Sequence, residues 1–105
     1  MTNPAFQDSE VLKNILEPLL EDFVYWFGRS LSLLQEEEIN FLTETQKSDL
    51  ISRVTDALQA VRTAKMMYKL SGEQVGVEVK AMMPWHNLLM ECQTVGMRFR
   101  QSQSS

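Results

Sequence analysis

His86 and Cys92 are the chain's single imidazole and single thiol, so metal binding, nucleophilic attack or general-base work would draw on them or on carboxylates. They stand six residues apart. That is not a helical face spacing, so within one helix they do not converge on an ion or form a nucleophile–base pair. A di-iron carboxylate bundle needs two Glu-x-x-His pairs, and the chain has none. A metal at His86 would have to borrow acids from another helix, such as Glu17 or Glu21; the plainer reading is an exposed or capping histidine. Cys92 falls on an apolar stripe and reads as a small buried hydrophobe with a raised thiol pKa, with bilin attachment as the sharper alternative. No glycine-rich phosphate loop, Ser/His/Asp order or paired-carboxylate signature stands out. The sequence therefore predicts no catalytic residue, no metal ligand and no cofactor. An enzyme would need a polar pocket holding shifted acids near Glu17, Glu21 or Glu91.

Other residue groups point to binding. Seven methionines include Met66-Met67 and Met82-Met83, with Met90 and Met97 further on. They read first as core filler, second as a plastic docking patch if exposed, and third as soft ligands for an ion such as Cu(I). A pigment or metal carrier using Cys92, His86 and the methionines is thus the alternative function. Phe23, Tyr25, Trp26 and Phe27 cluster, and neighbouring residues on a helix point 100° apart. Tyr25 or Phe23 must leave the central stripe, and an off-stripe aromatic is a candidate interface anchor. Arg62, Lys65 and Lys69 form one basic row, which reads as a solvated face or as a dock for an acidic partner or an anionic lipid head group. Tyr25, Trp26, Trp85 and His86, with Arg62, Lys65 and Lys69 as the polar side, make the candidate partner-binding surface.

Those residues need elements to hold them. Residues 1–7 read as a flexible arm, and Asp8 or Ser9 can cap a helix. Leu12, Leu16, Leu19, Phe23, Trp26 and Leu33 then recur with helical spacing, and Ile15, Leu20, Phe27, Leu31 and Leu34 widen the stripe. Pro18 falls inside that stripe, and because the phase holds across it, one kinked helix is predicted rather than two. Glu36-Glu37-Glu38 oppose the dipole at a helix C-terminus, so a connection is expected over 35–40. Thr43 and Gln46 have capping-box spacing. Leu50, Val54, Ala57, Val61, Ala64 and Tyr68 keep a strict heptad rhythm, and Ser71-Gly72 is a stop. Residues 75–79 alternate, but with no second strand to pair they read as an extended connection into a helix. The last helix starts at Pro84, or as early as Val77 with a kink at Pro84, and presents Trp85, Leu89, Cys92, Gly96 and Phe99. A polar tail follows from 101 to 105. The fold class is all-α: one domain, an antiparallel up-down-up three-helix bundle with helices of about 27, 27 and 20 residues.

Composition agrees. At 105 residues the chain can bury a core without disulfides, and its 4 glycines and 3 prolines are too few for a turn-rich β fold. A lone cysteine fits a reducing compartment. No signal-peptide pattern and no long apolar run are seen, so no transmembrane segment is expected. The net charge of −4 argues against nucleic-acid binding. It is uneven: ten acids against Lys13, Arg29 and Lys47 leave residues 1–50 at −7, and seven bases against Asp56, Glu73, Glu78 and Glu91 leave residues 51–105 at +3. Helix-to-helix charge pairing or a polar docking face would account for this.

Glu17-Pro18-Leu19-Leu20-Glu21-Asp22-Phe23 with Tyr25-Trp26-Phe27, then Gln74-Val75-Gly76-Val77-Glu78, Met83-Pro84-Trp85-His86, Glu91-Cys92 and Met97-Arg98-Phe99-Arg100 resemble a small cyanobacterial family with no assigned function. The likeness spans about residues 10 to 100. It implies a photosynthetic bacterial setting, with thylakoid or photosystem biology as the context, and transfers no catalytic residue. The expectation is a non-enzymatic helical interaction or accessory protein, an assembly or regulatory factor linked to photosynthetic membranes. A protein partner, a cytoplasmic location peripheral to the thylakoid membrane, and a homodimer all fit it.

Overall fold

A computed structural model describes the backbone of residues 4–72 and 79–104, and the side chains of residues 14–72 and 80–104. Three helices follow one another: α1 (Pro4–Glu36), α2 (Glu44–Leu70) and α3 (Val79–Gln103). No strand occurs among the described residues. None of the helices is long and apolar enough to cross a membrane among those residues.

α1 starts earlier than expected. Pro4 holds the first position, where a missing N–H is harmless, and Asp8 and Ser9 become interior helical residues rather than caps. The helix runs unbroken through Pro18. The lost hydrogen bond costs about 3 kcal/mol. Leu16 and Leu20, both buried around it, recover about 2 kcal/mol each. α1 stops at Glu36, within the acidic run, and Lys47 Nζ donates to the Glu37 carbonyl at 3.1 Å. The following turn plugs the bundle end with buried Ile39, a residue that sequence periodicity alone did not mark.

α2 begins with the predicted capping box. Gln46 N–H donates to Thr43 Oγ1 at 3.0 Å, and Thr43 N–H donates to Gln46 Oε1 at 2.9 Å. It ends as predicted too: Gly72 takes φ +68°, and the Ser71 and Gly72 amides donate to the Met67 and Lys69 carbonyls. α3 begins at Val79 and passes through Pro84, so the earlier of the two predicted starts is the nearer. The alternating segment falls mostly on residues 73–78, outside the described residues.

The register comes from the contacts. Glu17 meets Lys69 and Glu21 meets Lys65, so α1 and α2 are antiparallel. Phe23 meets Trp85 and Leu33 faces Gly96, so α3 runs parallel to α1. This is the up-down-up arrangement. The core belongs mainly to the first two helices: Leu16, Leu20, Phe23, Phe27 and Leu34 interlock with Leu50, Val54, Ala57, Leu58, Val61 and Tyr68. α3 adds Cys92 as its one fully buried hydrophobic side chain among the described residues, and otherwise lays half-buried Trp85, Leu88, Leu89, Val95 and Phe99 against the pair. It packs more on α1 than on α2. The molecule measures 59 × 25 × 18 Å with a radius of gyration of 16.8 Å, against about 13 Å for a compact domain of this length. The same register sets Leu70 level with Leu16, so the first turns of α1 extend beyond the end of α2.

One expectation within α1 is corrected. The stripe through Leu19 and Trp26 is not the buried one; Leu20 and Phe27 are buried, Leu19 is half-buried and Trp26 is exposed. Two heptad phases share Leu16 and Phe23, and the seam with α2 follows the second. Leu12 belongs to side chains outside the described residues.

Candidate interaction surfaces

Turning α1 onto the Leu20–Phe27 phase leaves Tyr25 and Trp26 outside. Tyr25 is 53% exposed and Trp26 43%. Their rings meet edge to face, with centroids 4.9 Å apart and planes at 90°. Arg29, one turn on, donates from Nη1 to Tyr25 Oη at 3.3 Å and sets its guanidinium 5.9 Å from the tyrosine ring centroid. Aromatic surface usually anchors binding because it presents large area with few torsions to freeze. Here the contacts with Arg29 and with each other hold the pair in place.

Trp85 has a different role. It is half-buried and packs edge-on against Phe23, with centroids 5.9 Å apart, so it pins α3 to α1. His86 beside it is exposed.

Arg62, Lys65 and Lys69 come together as predicted, in a groove between α1 and α2. Val24, Met66 and Leu70 complete its lining, and the cavity holds about 390 Å³. Lys65 Nζ lies 3.6 Å from Glu21 Oε1, and Lys69 Nζ lies 3.3 Å from Glu17 Oε1. The charge asymmetry of the sequence is thus partly spent in helix-to-helix pairing. Because Val24 faces this groove, Tyr25 and Trp26 turn away from it by successive 100° steps. The seven candidate residues therefore divide among the basic groove, the exposed aromatic pair and the α3 edge.

The residues with chemical potential are dispersed. Cys92 is buried, and burial pushes its thiol pKa up, opposed by a hydrogen bond with Ser30. That is the state of a packed thiol, not of an activated nucleophile. Glu91 is bound by Arg53, whose Nη1 and Nη2 donate to its two oxygens at 2.8 and 2.9 Å. These bonds hold the Glu91 carboxyl below the usual range. Among the described residues no group of three or more His, Cys, Asp or Glu side chains is placed to hold an ion.

The methionines depart from the core-filler expectation. Met66, Met67, Met83, Met90 and Met97 are exposed, and Met82 alone of the described ones packs on the core. Met83, Met90 and Met97 recur every seven residues and so share one outer line of α3, opposite the side that carries Cys92. Their spacing was visible in the sequence. So was the side of α3 that turns inward: Cys92 and Gly96 are buried, and Trp85, Leu89 and Phe99 pack against the core, as the stripe predicted.

Compared with known proteins, residues 6–101 match the family model described as "Protein of unknown function (DUF2605)". No curated protein and no solved structure matches.

Proposed function

We propose that this chain, which belongs to the DUF2605 family of proteins of unknown function, is a non-enzymatic docking protein that engages a larger protein through its exposed helix faces. The observation that carries this reading is the Tyr25–Trp26 pair: two large aromatics kept at the surface and ordered by Arg29 while Phe23 and Phe27 on the same helix fill the core. Leaving such side chains in water forgoes about 2 kcal/mol of burial each, a stabilisation that a partner can supply. The acids that a catalytic pocket would require support the same reading. Glu17, Glu21 and Glu91 are each engaged by a lysine or arginine near the surface.

The setting we propose is a photosynthetic membrane, with the chain serving as an assembly or regulatory factor at its surface. The support is the resemblance of the Glu17–Phe23, Met83–His86 and Met97–Arg100 strings to a cyanobacterial family.

The test is affinity purification of the tagged chain from its native cells, followed by mass spectrometry. Tyr25→Ala with Trp26→Ala should leave helicity unchanged and remove the partner. A double variant that recovers the same partner in the same yield would overturn the assignment of this surface.

A further inference from the structure

Arg62, Lys65 and Lys69 follow one another at three- and four-residue steps and form one row along α2. α1 answers with an acidic row, Glu17 to Lys69 and Glu21 to Lys65. The antiparallel register set by these pairs brings Arg62 level with Val24, the next residue in line on α1. Both line the groove. The charge ladder thus has two complete rungs and a third on which a guanidinium faces an isopropyl group. Among the described residues Arg62 has no ion-pair partner. Met66 and Leu70, the latter 80% exposed, continue the apolar side of the groove past this rung.

We propose that the groove docks an acidic amphipathic segment of a partner protein, with one carboxylate on Arg62 and aliphatic side chains on Val24, Met66 and Leu70. Arginine suits this role because its planar fork takes a carboxylate through two parallel hydrogen bonds. Glu17 and Glu21 show the pattern that the row accepts: carboxylates one helical turn apart, each on its own lysine. Exposed ion pairs of that kind hold weakly, so incoming carboxylates can displace them. A flat anionic bilayer fits less well, since it would also meet Glu17 and Glu21 on the rim, whereas a single peptide can pass between them. The inference rests on the reading of the chain as a docking protein but uses a different face from Tyr25 and Trp26.

The experiment titrates the full chain into a fluorescein-labelled helical peptide of glutamate and leucine and reads fluorescence anisotropy, with circular dichroism to verify each variant's fold. Saturable binding is expected. Arg62→Gln should weaken it about tenfold, the effect of one charge-assisted hydrogen-bonded contact. Met66→Ser should weaken it as well. Glu21→Gln should tighten binding by freeing Lys65, whereas Glu37→Gln, the same charge change in the 37–43 connection, should not. Arg100→Gln on α3 should have no effect. The proposal is overturned by absence of saturable binding, by equal losses in Arg62→Gln and Arg100→Gln, or by Arg62-dependent binding to phosphatidylglycerol vesicles in preference to the peptide. Tyr25→Ala with Trp26→Ala should bind the peptide normally. A native partner that needs Tyr25 and Trp26 but is indifferent to Arg62 would remove this groove and leave the docking function standing.

Discussion

Arg53 carries the polar contact between α2 and α3. Its Nε donates to Asp49 at 2.8 Å while its two terminal nitrogens grip Glu91. Hydrogen bonding by Arg53 is the largest cause of the lowered Glu91 pKa and outweighs the opposing effect of burial. Since the folded carboxyl titrates below its unfolded value, the pair's stabilisation is present above the ordinary glutamate range and is lost as pH falls through the folded pKa. The side chains of Arg53 and Glu91 are 44% and 48% exposed, so solvent screening keeps the effect small. We expect Glu91→Gln to melt slightly lower than the parent at neutral pH and the gap to close in acid. Thermal melts of both proteins across pH 3–7, a window that brackets about 4.3 for a free glutamate, check this. A gap that persists at the acid end would show that the contact works through packing and not through charge.

At the scale of the helices, three glycines behave differently. A Cβ on Gly28 would meet nothing within 4 Å, and one on Gly96 would meet Leu33 Cδ2 at 3.9 Å and Arg100 Nη1 at 3.6 Å, ordinary contact distances. Both lie inside helices, where glycine is disfavoured against alanine by about 0.5–1 kcal/mol. Gly28→Ala and Gly96→Ala should each stabilise the fold by that order. Gly72 ends α2 at φ +68°, so Gly72→Ala should destabilise by about 1 kcal/mol. Urea unfolding of the three variants measures these changes, and a loss on Gly96→Ala would mean that α3 sits closer to α1 than the geometry gives. These elements also mark what the sequence makes legible. The Thr43–Gln46 box, the Gly72 stop and the Leu50–Tyr68 heptad are set by residues within a few turns of each other, and all three were readable. The phase of α1 was not, because Leu16 and Phe23 serve two heptads and only the placement of α2 chooses between them. The unmatched rung at Arg62 was hidden for the same reason: Val24 and Arg62 become neighbours only through the register of two helices.

Across the whole molecule, the core lies chiefly in the α1–α2 hairpin, and α3 is the outer layer. Trp85, Cys92, Gly96 and the Arg53–Glu91 pair fasten it. The up-down-up order was legible from three apolar stripes with short connections. The exposure of Met83, Met90 and Met97 was not, since it follows from how lightly α3 is embedded. The long first helix has a practical consequence in solution. A body 59 Å long and 18 Å across tumbles and sediments with more friction than a sphere of equal mass. It should therefore elute early from a sizing column, and a monomer would pass for a dimer unless its mass were taken from light scattering.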